Sequence, residues 1–343
     1  MAPKQNTAKR TPDLRAISNS KPNPTKEELK QYYRDMLLIR RFEERAGQLY
    51  GMGLIRGYFH VYIGQEAVVT GIQSQQAPQD TVVTAYRDHA HMLACGMDPN
   101  GVMAELTGRI DGYSRGKGGS MHMFSKEKNF FGGHGIVGAG TSIGTGLGFA
   151  HKYKEDGGVA VAYTGDGAAN QGQVAECYNM ASLWKLPILY VIENNKYAMG
   201  TSVERHAAGE LYKRGEGYDI PGEQVDGQDI FAVQEAARRA LDYIRDGNGP
   251  YILEALTYRY RGHSVSDPAK YRSKEELNTW KEERDPIDKL KSFALNEGGL
   301  KESDLKPIDK EIMGIVKEAV EFAQESPVPD ASELWTDVLV EVD

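Results

Sequence analysis

Cysteine and long apolar runs are both scarce in this chain. Cys95 and Cys177 are its two cysteines, and they stand too far apart for a metal-binding motif or a disulfide framework. This usage is typical of a reducing compartment. No run of apolar residues approaches the roughly 18 that a membrane-spanning helix needs. We therefore expect no membrane partner.

Positive charge is in short supply as well. The 343 residues include 41 lysines and arginines against 49 aspartates and glutamates, a formal net charge of -8 at pH 7. This balance argues against a general nucleic-acid binder, because binding to phosphates needs a basic surface. The apolar content of 40% is ordinary for a globular protein. We expect a globular protein with no nucleic-acid partner.

The first 24 residues differ in composition from the rest. They are rich in Pro, Asn, Ser, Thr and Lys, and they carry five basic residues against one acid, Asp13. This composition predicts a flexible basic arm over residues 1–24. The arm lacks the apolar core of a secretory signal and makes a poor transit peptide. We expect a bacterial cytoplasm rather than a mitochondrial matrix, and one domain over residues 25–343.

The order of helix and strand signals predicts an α/β fold. Thr25-Lys26-Glu27-Glu28 has the spacing of a capping box and should start a helix that ends at Gly51. Four short runs are typical of buried strands: 81–84, 159–163, 188–192 and 251–257. Further helices are expected at 65–73, at 230–245 and over most of about 273–325. We predict a parallel sheet with helices on both faces and a helical C-terminal region.

Polar side chains follow two of these runs where each predicted strand ends. Asp166 lies in Gly165-Asp166-Gly167, and Asn194-Asn195 follows the next run. A helix-length crossover joins the two strands, so they run parallel and both ends reach the carboxyl edge of the sheet, where ligands bind. Carboxylate and amide oxygens are ligands that Mg²⁺ takes when it holds a diphosphate. The alternative interpretation is that both are ordinary turns.

Residues 132–148 contain eight glycines, for which two interpretations stay open. Gly140, Gly144 and Gly148 would let a helix lie close to the sheet, or the segment would bring backbone close to a bound cofactor. A dinucleotide-binding fingerprint fails here, because Ile143 stands where the third glycine belongs and no clear strand precedes the segment.

Four motifs together resemble a known family. They are GGSMHM at 118–123, GDGAANQG at 165–172, ENNKYAMGTS at 193–202 and RGHSVSDP at 261–268. In these motifs the chain resembles the alpha subunits of the pyruvate dehydrogenase (acetyl-transferring) family, which use thiamine diphosphate. The resemblance covers residues 27 to about 330. It implies a thiamine diphosphate-binding fold.

The resemblance also implies a set of metal and phosphate ligands. Asp166, Asn195 and the backbone carbonyl of Tyr197 would bind Mg²⁺. Gly167 and Ala168 would open a helix and offer backbone N–H groups to a phosphate.

Further residues are implied around the rest of the cofactor. Tyr86 and Arg87 would bind the diphosphate, Arg87 as a fork of donors. The alternative for Arg87 is a structural salt bridge with Asp88 or another acid. The backbones of Gly135 and Val137 would hold the aminopyrimidine ring.

Two histidines gain a role through their motifs. The resemblance implies that His60 and His263 are catalytic, near the reacting carbon and the phosphates, and that His263 also binds the cofactor. An isolated histidine is more often an ordinary imidazole. His89 and His134 stand close enough to the motifs to be considered.

The resemblance implies the reaction and its partners. The chain would join a beta subunit in an α₂β₂ heterotetramer, and a glutamate of that beta subunit would activate the cofactor. Pyruvate would undergo oxidative decarboxylation, with reductive acetylation of the lipoyl group of a dihydrolipoyl acetyltransferase. Open alternatives are a branched-chain 2-oxoacid or acetoin dehydrogenase alpha subunit, a transketolase-like enzyme, which the chain length disfavours, and a noncatalytic cofactor-binding subunit. The sequence leaves phosphorylation of Ser202 or Ser264 undecided.

Overall fold

A computed structural model describes residues 22–339, so the predicted arm at 1–24 lies almost wholly outside the described residues. Within that range the strands are β1 (Thr81–Ala85), β2 (Phe130–His134), β3 (Ala160–Gly165), β4 (Ile188–Asn194), β5 (Tyr197–Ala198), β6 (Thr201–Ser202), β7 (Gly222–Asp226) and β8 (Tyr251–Leu256). Six of them form one parallel sheet in the order β2-β1-β3-β4-β8-β7, while β5 and β6 form a small hairpin. The division of the chain at residue 24 stays a prediction.

Helices cover both faces of this sheet. They are α1 (Lys26–Gly51), α2 (Glu66–Gln73), α3 (His89–Ala94), α4 (Pro99–Leu106), α5 (Ala139–Lys154), α6 (Gly172–Leu183), α7 (Val203–His206), α8 (Ile230–Tyr243), α9 (Lys274–Glu283), α10 (Pro286–Asn296) and α11 (Glu302–Glu325). The predicted parallel α/β fold with a helical C-terminal region is confirmed. In the described part of the chain, no helix has a stretch long and apolar enough to cross a membrane.

The first helix begins as its sequence predicts. The hydroxyl of Thr25 accepts a hydrogen bond from the backbone N–H of Glu28 at 3.2 Å, and the Glu28 carboxylate accepts one from the Thr25 N–H at 2.7 Å. This capping box satisfies two polar groups that a helix start leaves without partners. Its buried residues include Leu29, Tyr33, Met36, Leu37 and Leu49.

Strand β4 shows why the strands appear in the sequence as continuous apolar runs. All of its residues are buried. Leu189 and Val191 pack in the larger core, with residues of α1, α2, α8 and α11, whereas Ile188, Tyr190 and Ile192 pack on the other face. A parallel strand covered on both faces carries apolar residues on both, so residues 188–192 show no alternation.

Two strands of the sheet, β2 and β7, were not predicted from the sequence. The expectation that no strand precedes the glycine-rich segment is wrong, because β2 begins at Phe130 and includes the first three residues of that segment. Its Gly133 is required, since a Cβ there would stand 1.6 Å from a carboxylate oxygen of Asp88. Strand β7, at the sheet edge, carries polar and half-buried residues rather than an apolar run. The segment 196–217, for which the sequence indicates neither helix nor strand, contains the β5–β6 hairpin and α7.

The glycines of α5 allow this helix to lie directly on the sheet. A Cβ at Gly144 would approach the Ala162 Cβ to 2.5 Å, and one at Gly148 would stand 3.3 Å from the Cβ of Ile188. The close-packing interpretation of this segment is therefore confirmed.

One buried carboxylate organises the loop that precedes the motif at 118–123. Glu105, in α4, accepts four backbone N–H bonds of 2.8 to 2.9 Å, from Ser114, Gly116, Gly118 and Gly119. The carboxylate is fully buried. These four donors would otherwise lack partners in the interior.

Replacing Glu105 by Gln should therefore destabilise the fold. The amide keeps the shape but points an N–H₂ group at backbone donors, so we expect a loss of about 3 kcal/mol in the free energy of unfolding. Denaturant unfolding measures this. Glu321→Gln, which removes an exposed carboxylate paired with Lys317, is the control and should change stability by less than about 1 kcal/mol. Equal stabilities of the two variants would contradict this account.

Candidate active site

The carboxyl ends of four neighbouring strands bring most of the candidate residues together. Arg87 follows β1, Asp166 follows β3, Asn195 follows β4, and Arg259 lies three residues beyond β8. All four side chains are buried. The sequence-based placement of the two turns at one edge of a parallel sheet is thus confirmed.

Two of the three predicted metal-ligand oxygens converge on a single cationic nitrogen. Nη1 of Arg259 donates to Oδ1 of Asn195 at 3.3 Å and to the backbone carbonyl of Tyr197 at 3.0 Å. The second guanidinium nitrogen, Nη2, donates to the Met199 carbonyl at 2.9 Å. These oxygens therefore face a common point where positive charge is already favourable.

Asp166 stands beside this cluster. One of its carboxylate oxygens lies 3.0 Å from Nε2 of His206. Burial raises the pKa of Asp166, while the His206 hydrogen bond and the charge of Arg259 act in the opposite direction. A carboxylate, an amide oxygen and a carbonyl oxygen form the hard donor set that Mg²⁺ accepts.

The candidate ligands do not form a conventional side-chain metal cluster. Among residues 22–339 there is no group of three or more His, Cys, Asp or Glu side chains that could hold a metal ion. The candidate set contains a single carboxylate, so it needs further oxygens from a ligand to complete a coordination shell. Mg²⁺ sites built on substrate phosphates have this composition.

The two consecutive asparagines have different environments. Asn194 donates to Glu254 of β8 at 2.7 Å and accepts the Lys196 N–H at 3.2 Å, which holds the turn. Asn195 donates through Nδ2 to Oε1 of Gln65 at 3.2 Å. That bond leaves Oδ1 of Asn195 directed at Arg259. Gln65, which sequence analysis missed, therefore orients the candidate ligand.

Gly167 and Ala168 do not open the following α-helix, so that prediction is wrong. Ala168–Asn170 form a 3₁₀ turn, and α6 begins only at Gly172, because Gln171 is extended, with ψ at 138°. Gly167 is nevertheless needed, since a Cβ there would lie 2.6 Å from the Cβ of Ala198. Phosphate binding by these two backbones stays a prediction.

Arg87 is a buried cation whose hydrogen-bond partners are neutral. It donates to the carbonyls of Val61 at 2.6 Å and His263 at 2.7 Å. Among the described residues no carboxylate forms a salt bridge with it, so the alternative pairing with Asp88 is not observed. Burial and the charge of Arg259 lower the pKa of Arg87 to about 10.

Arg259 is a second buried cation whose hydrogen-bond partners are neutral. It is 2% exposed, its Nε has no hydrogen-bond partner in the described structure, and it forms no salt bridge with a described carboxylate. Buried charges are normally paired. Two such guanidiniums at one sheet edge make an anionic ligand favourable there.

Next to the guanidiniums lies a cavity of about 620 Å³. Five predicted site residues line it: His60, Tyr86, Gly135, Val137 and His263. The ring of His60 lies 4.6 Å from that of Tyr86 and 5.1 Å from that of His263, measured between centroids. The volume of the cavity is in the range of small-molecule and cofactor sites. Gly135 and Val137 bring part of the glycine-rich segment to the cavity wall, and contact of its backbone with a cofactor stays a prediction.

The two cavity histidines are neutral at pH 7. Burial and the charge of Arg87 lower the pKa of His60 to about 2 and that of His263 to about 4. Nδ1 of each ring is buried and has no partner among the described residues. A ligand in the cavity therefore has to bond the other ring nitrogen, Nε2, which donates or accepts according to the tautomer.

The other two histidines considered from the sequence lie elsewhere. His134 contacts the Phe131 carbonyl at 3.1 Å and does not line the cavity. His89 is fully buried behind the cavity, between Glu43 and Ser120. The structure thus assembles the predicted set and adds Arg259, Gln65 and His206. Their roles in cofactor binding remain predictions.

This arrangement defines a class: a parallel α/β protein with a ligand site at the carboxyl edge of its sheet. Residues 34–332 match the family model described as Dehydrogenase E1 component. The chain therefore belongs to the dehydrogenase E1 component family.

Curated relatives narrow the comparison. The chain is 61% identical to the pyruvate dehydrogenase E1 component subunit alpha of Rhizobium meliloti (strain 1021), over 92% of this chain and 91% of that protein. Its identity to the protein of the same name from Zymomonas mobilis is 59%, over 92% of this chain and 89% of that protein. The chain is 48% identical to the mitochondrial pyruvate dehydrogenase E1 component subunit alpha of Dictyostelium discoideum, over 92% of this chain and 83% of that protein.

Proposed function

We propose that this chain is the alpha subunit of a pyruvate dehydrogenase E1 component, which catalyses the oxidative decarboxylation of pyruvate. The observation that carries the proposal is the meeting of Asp166, Asn195 and the Tyr197 carbonyl with two unpaired buried guanidiniums beside one cavity. Such a site suits a metal-bound diphosphate. The names of the relatives supply the substrate.

The cofactor is thiamine diphosphate, which supplies a nucleophilic carbon and an electron sink for decarboxylation when bound. Asp166, Asn195 and the Tyr197 carbonyl would hold Mg²⁺, and Arg87 and Arg259 would donate to the diphosphate. The hard-oxygen donor set and the two buried cations support this assignment.

Within the cavity, the protein's own groups bind and orient the substrate. Neutral His60 and His263 line the cavity and can each offer one hydrogen bond through Nε2, because Nδ1 of each ring is buried. Tyr86 packs against both rings and fixes their orientation. Closure of the cavity by a partner chain would exclude water, which would strengthen these polar contacts.

A partner chain would cover the cavity. Apolar side chains stand exposed on or beside its rim, with Tyr58 74%, Ile136 76% and Met199 65% exposed. Exposed apolar clusters of this kind mark interaction surfaces. We assign this surface to the beta subunit of an α₂β₂ heterotetramer, with a lipoyl-bearing dihydrolipoyl acetyltransferase as the next partner. A bacterial cytoplasm stays the predicted location.

The purified chain alone should release negligible carbon dioxide from pyruvate. The family resemblance assigns the activating glutamate to the beta subunit, and the described residues place no carboxylate on the cavity other than Asp267, which is held by the His263 N–H and the Tyr271 hydroxyl. Addition of the beta subunit should restore activity in a coupled decarboxylation assay. Full turnover by the isolated chain would contradict the heterotetramer.

Substrate preference separates the remaining alternatives. We expect kcat/KM for pyruvate to exceed that for branched-chain 2-oxoacids by about tenfold or more, the usual effect of extra methylene groups in a fitted pocket. A preference for the branched substrates would favour a branched-chain 2-oxoacid dehydrogenase. A preference for acetoin would favour an acetoin dehydrogenase. Cofactor binding by the assembled subunits without carbon dioxide release would identify a noncatalytic subunit.

A further inference from the structure

A buried chain of three side chains lies behind the cavity. Nδ1 of His89 is 3.0 Å from Oε2 of Glu43, and Nε2 of His89 is 2.9 Å from the Ser120 hydroxyl. Glu43 and His89 are fully buried, and Ser120 is nearly so. Since an ionised carboxylate only accepts hydrogen bonds, Nδ1 carries a proton and donates it to Glu43. We call these three residues the relay.

The relay has the connectivity of a hydrolase triad but not its surroundings. Burial alone would lower the pKa of His89, yet the charge of Glu43 and its hydrogen bond raise it above its usual value, as a carboxylate also does in a triad; the difference lies around Ser120. The backbone N–H groups of Gly118 and Gly119, next to Ser120, are occupied by Glu105. They cannot stabilise an oxyanion. Ser120 is therefore not a nucleophile.

Both ends of the relay lead to the cavity. Ser120 precedes Met121, which lines one wall. His89 stacks on Phe59, with ring centroids 5.2 Å apart, and Phe59 precedes His60 on another wall. The second oxygen of Glu43 accepts the Tyr62 N–H at 2.8 Å, which ties the same segment from the other side.

We propose that the Glu43–His89–Ser120 relay is a positioning device that fixes the spacing between the His60 wall and the Met121 wall, and that it thereby sets which 2-oxoacids fit. This inference rests on the proposed function for its substrate class. The three residues touch no substrate themselves, so they act through Phe59, His60 and Met121. A displacement of about 1 Å in such walls is enough to impair productive binding.

The fold contains a matched control at the opposite edge of the sheet. Thr81, at the start of β1, lies 3.0 Å from Nε2 of His151, whose Nδ1 is 2.8 Å from Asp156. Thr81 and Ser120 are almost equally buried. Thr81→Val and Ser120→Ala therefore remove the same kind of bond, a hydroxyl to a buried histidine, at two places.

The test uses the complete chain assembled with its beta subunit. In Ser120→Ala we expect KM for pyruvate to rise about tenfold with kcat little changed, and the preference for pyruvate over 2-oxobutanoate to fall, because a loosened wall admits the longer chain. Glu43→Gln should also raise KM for pyruvate and lower the preference for pyruvate, although Glu43 lies farther from the cavity than Ser120. Thr81→Val should leave both unchanged.

Hydrogen exchange of the same proteins supplies a readout independent of turnover. Ser120→Ala should accelerate amide exchange over residues 58–61 and 119–123, and Thr81→Val should not. Similar kinetics and exchange in both variants would overturn the relay. If the wild-type assembly fails to decarboxylate pyruvate, the proposed function fails, while faster exchange at both walls would still support the relay as a positioning device.

Discussion

Replacing Arg87 by Met should weaken thiamine diphosphate binding by about a hundredfold or more, the value of two charge-assisted hydrogen bonds to a diphosphate. The stability of the cofactor-free protein should change little. Removing a buried, unpaired cation relieves its desolvation cost. This gain offsets the loss of hydrogen bonds to the Val61 and His263 carbonyls. Calorimetric titration and thermal unfolding measure the two effects.

Arg40→Met is the matched control for this result. Arg40 is also largely buried, but its guanidinium lies 3.0 Å from carboxylate oxygens of both Glu66 and Asp285. Its removal leaves two buried carboxylates unpaired, so we expect a stability loss of about 3 to 5 kcal/mol. A strongly destabilised Arg87→Met protein that still binds the cofactor would show that Arg87 is a structural cation instead.

Replacing Asp166 by Ala should nearly abolish cofactor binding while the fold survives. The change removes the single carboxylate of the candidate metal set, so diphosphate and cation would lose their anchoring charge, and we expect affinity to fall by about a thousandfold. Calorimetry in the presence of Mg²⁺ measures this. Asp156→Ala breaks a similar His–Asp contact, with His151, far from the site, and should leave affinity unchanged. Normal binding by a folded Asp166→Ala protein would reject the assignment.

The grouping of the candidate ligands at one sheet edge was predictable because they follow strands. Asp166 and Asn195 end apolar runs, and the parallel-sheet rules place such ends together. Their partners were not predictable. Gln65 meets Asn195 across 130 residues of sequence, and Arg259 lies outside the four motifs that indicated the site. Such contacts depend on tertiary packing, which leaves no local pattern in the sequence.

The missed strands have a similar cause. β2 contains Gly132 and Gly133, which weaken a strand signal, yet Gly133 is fixed by the Asp88 carboxylate beside it. The start of α6 was placed too early for a different reason. The extended backbone of Gln171 separates the 3₁₀ turn from α6. Glutamine is not a residue type that predicts a helix break.

The position of the bound cation tests the central claim most directly. Crystals of the chain with its beta subunit, grown with thiamine diphosphate and with Mn²⁺ in place of Mg²⁺, would locate the metal by anomalous scattering. The account predicts one peak in contact with Asp166, Asn195 and the Tyr197 carbonyl, with Arg87 and Arg259 turned towards the diphosphate. A metal elsewhere, or a diphosphate bound away from these two arginines, would contradict it.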